Sequence, residues 1–96
     1  MVKSNERSLG EIIKEVLKHH RLEGKITETR IMSAWERVMG YNIARYTEKL
    51  TLKGPRLIVT LRSSVLRNEL AYSREKIIKK INDELGEKAI TDVVFL

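Results

Sequence analysis

Cysteine is absent from the 96 residues, which removes disulfides, thiolate nucleophiles and zinc–thiolate sites together and fits a reducing compartment. No apolar run approaches the length needed to cross a bilayer, and no apolar stretch follows the charges of the first seven residues, so the chain is expected to be cytoplasmic, neither exported nor membrane-bound. Aromatic residues are few: one Trp, three Tyr and one Phe. Aliphatic packing must therefore carry the core. Chemistry-bearing patterns are missing too. There is no Gly-rich phosphate loop, no Ser, His and Asp set, and no carboxylate pair flanked by other catalytic groups, so an enzyme, a cofactor and a small-molecule substrate are not expected. His19-His20 is the one metal-like doublet. Neighbouring helical positions diverge by about 100°, and no third ligand is spaced to join them, so no metal is expected.

What is present is a folded-protein composition, 42% hydrophobic and 33% charged, too apolar for a disordered tail. So short a chain closes one core, giving a single domain over residues 8–96 behind a flexible lead of residues 1–7. The net charge is +6, and it is unevenly placed. Between Arg45 and Lys80 ten basic residues face three acids, whereas the rest of the chain carries nine basic and ten acidic groups. A local cationic excess of this kind is suited to a polyanion.

Ser8-Leu9-Gly10-Glu11 reads as a capping box opening a helix whose apolar stripe is Leu9, Ile12, Ile13, Val16 and Leu17, with Gly24 placed to end it. A second helix from Ile26 or Thr27 carries Ile31, Ala34, Trp35, Val38 and Met39 on one side. Gly40 interrupts it, with one further turn over 42–45. From Lys49 the period becomes two. Leu50 and Leu52, then Leu57, Val59 and Leu61 across Gly54-Pro55, predict a β-hairpin. Ser63 or Ser64 caps a long helical segment bearing Leu66, Leu70, Ile77, Ile81 and Leu85, with a break near Ser73 and an end at Gly86. Residues 89–96 supply a third strand. The expected architecture is α+β, a three-stranded sheet with helices on one face, in the order α-α-β-β-α-α-β.

Several residues then combine. Ala34-Trp35 with Val38 and Gly40, Arg45-Tyr46-Thr47 entering the hairpin, Ser63-Ser64 followed by Glu69-Leu70, and Ile81-Asn82 with Leu85-Gly86 together resemble the DciA family of bacterial replicative-helicase operators, across about Leu9 to Phe95. The resemblance implies a type II K-homology-like domain that binds DNA and assists loading or operation of the replicative helicase. In K-homology domains a Gly-x-x-Gly loop clamps the nucleic-acid backbone. The corresponding junction here, Ala71-Tyr72-Ser73-Arg74-Glu75, has no glycine, so contact must rely on side-chain charge.

The residues expected to meet nucleic acid are Lys49, Lys53, Arg56 and Arg62 on the polar side of the hairpin, and Arg67 and Arg74, seven apart on one side of the following helix. Tyr46 and Tyr72, at element boundaries, are the candidate stacking groups. Lys76, Lys79 and Lys80 form a lesser basic cluster that reads first as a solvated stripe. Ile58, Thr60, Val94 and Leu96 are expected to share the sheet face away from the helices and to offer an apolar strip to a protein partner, or else to be core. Two further readings stay open: a protein-interaction adaptor whose charge serves solubility, and an RNA-binding module.

Overall fold

A computed structural model describes residues 8–96, and the side chains of all of these except Lys14 and residues 16–23. The flexible lead expected over 1–7 and the side chains of Val16, Leu17, His19 and His20 lie outside the described residues. The elements are α1 (Leu9–Met39), α2 (Tyr41–Tyr46), β1 (Thr47–Lys53), β2 (Arg56–Leu61), α3 (Ser64–Ala71), α4 (Arg74–Leu85) and β3 (Asp92–Phe95). The fold is α+β, as the periodicities predict.

One boundary differs from expectation. Gly24 does not end a helix: α1 runs through it for 31 residues. The glycines at positive φ are Gly40, Gly54 and Gly86, so Gly24 lacks the left-handed backbone that terminates a helix. The apolar stripe also stays in phase across it. Positions 9 and 13 and positions 31, 34 and 38 fall on the same side at 100° per residue. Docking of Ile31, Ala34 and Trp35 anchors the C-terminal part of α1, and a mid-helix glycine costs only roughly 1 kcal/mol, too little to end the helix. The stop comes at Gly40 (φ 90°), whose N–H donates to the Glu36 carbonyl at 2.8 Å. At the other end the Ser8 hydroxyl accepts from the Glu11 N–H at 3.2 Å.

The sheet order is β1-β2-β3. β1 and β2 form the predicted antiparallel hairpin, with Leu50 opposite Val59, Leu52 opposite Leu57 and Lys53 opposite Arg56. Gly54 (φ 58°) opens the two-residue connection, and that positive φ lets so short a turn follow the strand twist. β3 pairs with β2 in parallel, Leu57 beside Val93 and Ile58 beside Val94. Parallel neighbours need a crossover, and α3 with α4 supplies it. The Ser63 hydroxyl caps α3 by accepting from the Leu66 N–H at 3.1 Å. The expected break before α4 falls at Tyr72-Ser73, although the Ser73 side chain makes no capping bond. Gly86 (φ 73°) closes α4 in the left-handed conformation.

The core is built from one face of the sheet. Leu57, Val59, Leu61 and Val93 meet Ile31, Ala34 and Trp35 of α1, Leu70 of α3, and Ile77, Ile81 and Leu85 of α4, with Ile90 from the loop before β3. All the helices contributing to the core therefore pack on one face, as expected. Trp35 is core, not a stacking platform: it is 3% exposed, and its indole N–H donates to Thr47 Oγ1 at 3.0 Å while Thr47 donates onward to the Ile43 carbonyl. Asn82 ties α4 to the loop through both its amide atoms, donating to the Ile90 carbonyl and accepting from the Ile90 N–H. Toward its N-terminus α1 outruns the sheet, so Leu9, Ile12 and Ile13 stay exposed and the molecule measures 62 × 23 × 20 Å.

Candidate nucleic-acid interface

Side chains alternate along a strand, so once Leu50, Leu52, Leu57, Val59 and Val93 turn inward, their neighbours must turn out. The register places Lys49 opposite Thr60, Thr51 opposite Ile58, Lys53 opposite Arg56, and then Ile58 beside Val94 and Arg56 beside Asp92. Lys49, Lys53 and Arg56 therefore share the helix-free face with Ile58, Thr60 and Val94. The cationic set and the apolar set, separate in the sequence reading, are interleaved on one surface. Ile58, Thr60 and Val94 are half-buried there among their neighbours, and Leu96 is exposed just beyond β3.

The electrostatics of this face centre on Asp92. Lys53 and Arg56 are directly opposed like charges, an arrangement that costs stability unless a counter-charge lies close. Asp92 supplies one: its Oδ2 lies 3.4 Å from Arg56 Nε, and its Oδ1 pairs with the Arg74 guanidinium. The hydrogen bond from Arg74 holds the Asp92 carboxyl below its usual range, and the positive charges of Arg74 and Arg56 act in the same direction. Among the described residues no carboxylate comes within ion-pair distance of Lys49 or Lys53.

Arg74 has a further task. Leu96 directs both its N–H and its carbonyl at β2, so by alternation Val93 directs its own toward the outer edge of the sheet. There the Val93 carbonyl accepts from Arg74 Nε at 3.0 Å and the Val93 N–H donates to Asp92 Oδ1 at 2.9 Å. On the opposite edge, the Leu52 N–H of β1 donates to Glu28 Oε2 at 2.8 Å. Unpaired strand edges invite pairing with other chains, and each edge is blocked at one point by a charged side chain.

The expected interface residues fall into four groups. Lys53, Arg56, Arg74 and Tyr72 gather at the hairpin-turn end, because the Thr91 N–H donates to the Pro55 carbonyl at 2.8 Å and brings the start of β3 to the turn. Tyr72 is 92% exposed and lines a shallow groove with Ser73, Arg74, Thr91 and Asp92. Tyr46 and Arg62 lie at the opposite end, where the Arg62 N–H donates to the Tyr46 carbonyl at 2.9 Å and its guanidinium reaches the Arg45 carbonyl. Lys49 lies between the two ends, about 13 Å along β1 from Lys53 at 3.3 Å per residue. Arg67 stands apart. The seven-residue spacing that put it beside Arg74 holds only within one helix, and the break at Tyr72-Ser73 puts the two on different helices. Arg67 is half-buried on the helical side of the sheet, its Nε enclosed with no acceptor. In the lesser cluster Lys79 pairs with Asp83 at 2.7 Å, consistent with a solvated stripe.

Among the described residues no group of three His, Cys, Asp or Glu is placed to hold a metal ion, and no helix is long and apolar enough to cross a membrane. The model of the family described as Dna[CI] antecedent, DciA, matches residues 8–95. The chain belongs to the DciA family. A UPF0232 protein of Mycobacterium marinum is 25% identical over 85 residues, which cover 88% of this chain and 46% of that protein. This DciA-family chain thus spans less than half the length of that curated relative. The family is associated with helicase loading.

Proposed function

We propose that this chain is a nucleic-acid-binding accessory of the bacterial replicative helicase, without catalytic activity of its own, and that it meets DNA with the open sheet face. One observation carries the reading: the strand register puts Lys53 directly opposite Arg56, with Lys49 about 13 Å further along β1 on the same helix-free surface, and the described counter-charge there is the single carboxylate of Asp92. Clustered cations on an open surface gain free energy by displacing counterions from phosphates. Arg74 and Tyr72 border the same end. At the α3–α4 junction, where K-homology domains present bare glycine backbone, Tyr72 and Arg74 present side chains instead, which favours recognition by charge and stacking over a backbone clamp. Arg62, Arg67 and Tyr46 are not needed for this reading.

The test is a salt titration of binding to labelled single strands. Three phosphate contacts give a slope of log affinity against log salt near about −2, and a loss of about twentyfold between 50 and 200 mM salt. Replacing Lys49, Lys53 and Arg56 together with glutamine removes that slope while the circular dichroism spectrum is kept. A slope unchanged in the triple variant overturns the assignment. DNA and RNA strands of one sequence, run in parallel, decide between the two polymers. Ile58 and Val94 on the same face support a second reading, docking of a protein adaptor, and loss of helicase co-purification in Ile58→Asp with DNA binding intact selects it.

A further inference from the structure

At the end of the domain remote from the hairpin turn, α2 and α3 stand on either side of a cleft of about 240 Å³ lined by Asn42, Tyr46, Ser63, Val65, Leu66 and Glu69. Large apolar side chains stand exposed around it. Val65 is 67% exposed, Tyr46 41%, and Tyr41, one helical turn from Arg45, 67%. Leaving such side chains in water forfeits about 25 cal/mol for each Å² of apolar surface that burial would remove.

The rim is cationic. The Arg45 guanidinium lies 5.3 Å from the centre of the Tyr46 ring and 6.0 Å from that of Tyr41, which holds its charge beside the cleft through cation–π attraction. Arg62 is tethered to the same place by its bond to the Arg45 carbonyl. Neither arginine has a carboxylate within ion-pair distance among the described residues. Tyrosine and arginine around a small apolar recess is the composition of protein-binding hot spots. Two details favour a polypeptide over a nucleic acid. Arg45 already occupies one face of Tyr46, which a base would need for stacking. The apolar part of the recess, Val65 and Leu66, is matched by an apolar side chain better than by a sugar-phosphate backbone, and Glu69 is suited to accept a peptide N–H.

We propose that this cleft docks a short acidic peptide segment of a partner protein: one bulky apolar side chain enters between Tyr46, Val65 and Leu66, and carboxylates flanking that anchor pair with Arg45 and Arg62. The surface is separate from the open sheet face and does not depend on it.

Selection of a displayed random 12-residue peptide library on the whole chain tests this. Enriched peptides are expected to carry one Leu, Phe or Trp flanked by Asp or Glu. A synthetic copy is expected to shift the amide resonances of residues 42–46 and 63–69 in the labelled chain. Val65→Glu, at an exposed position, abolishes binding. Arg45→Glu with Arg62→Glu weakens it at least tenfold, and Lys53→Gln leaves it unchanged. Enriched peptides with no acidic bias, binding that survives Val65→Glu, or a single-stranded oligonucleotide that shifts these amides where the peptide does not, each overturns the proposal.

Discussion

Asn82 projects from α4 onto the loop that leads into β3, and its amide satisfies both polar groups of the Ile90 backbone, at 2.8 Å to the carbonyl and 2.9 Å from the N–H. Ile90 is wholly buried. In Asn82→Ala both bonds vanish. If water reaches the two groups, the cost is the net worth of two hydrogen bonds, about 2 kcal/mol. If they stay dry, desolvation raises it to about 4 kcal/mol. A domain of this size is stable by roughly 5–14 kcal/mol, so the loss is a large share of the total. With a urea dependence near about 1.5 kcal/mol/M, the unfolding midpoint falls by about 1.3 to 2.7 M. Asn82→Asp refines the test. At neutral pH its carboxylate accepts from the Ile90 N–H but opposes the Ile90 carbonyl; once protonated it donates there. The protonated form is favoured by folding, so the folded-state pKa is raised. The deficit relative to the parent is therefore full at neutral pH and shrinks as pH falls through that raised value. Urea unfolding followed by circular dichroism at a series of pH values reads both variants. An Asn82→Ala protein within about 0.5 kcal/mol of the parent refutes the bridge as a structural element.

Asp92 is held ionised by Arg74 and Arg56, so its folded-state pKa lies below the ordinary value. The stability it contributes is present above the ordinary carboxylate pKa and is lost as pH falls through the depressed one. Asp92→Asn is accordingly less stable than the parent at pH 7, and the gap closes in acid, as paired urea titrations will show. A Cβ at Gly24 meets nothing within 4 Å, and Gly24→Ala raises stability by about 0.5–1 kcal/mol. Destabilisation in thermal melts would instead mean that α1 bends at that residue. Gly86→Ala, at a φ of 73° where the Gly86 and Glu87 N–H groups close α4 onto Asp83 and Asn82, lowers stability by about 1–2 kcal/mol, read by the same melts.

Much of the fold was legible because local chemistry and global packing agree. Alternation at Leu50 and Leu52 and again at Leu57, Val59 and Leu61 defined the hairpin. Ser8, the Ser63-Ser64 pair and Gly86 marked helix ends with a capping hydroxyl or a glycine free to take a positive φ, and the phase of Leu70, Ile77, Ile81 and Leu85 identified a buried face. Gly24 misled because glycine permits a helix end without enforcing one, and only its φ and the continuing stripe decide. The candidate interface was legible as a list and not as a place. Alternation tells which side chains share one strand face, but the register that sets Arg56 between Lys53 and Asp92 depends on pairing with β3, which no local pattern announces. Arg74 read as a free cation because its partners, Asp92 and the Val93 carbonyl, lie 18 and 19 residues away in sequence.

Both ends of the strand ladder are closed by carboxylates: Glu28 on the β1 side, and Asp92, together with the arginine it anchors, on the β3 side. Asp92, held below the ordinary carboxylate range by that arginine, keeps its charge through mild acid, and the aliphatic core between the two edges carries no charge at all. Removing either stopper by mutation therefore leaves an unguarded strand edge on a sheet that is otherwise intact. Self-association into growing fibres is the failure such an edge invites, and the two charged side chains are what hold it in check.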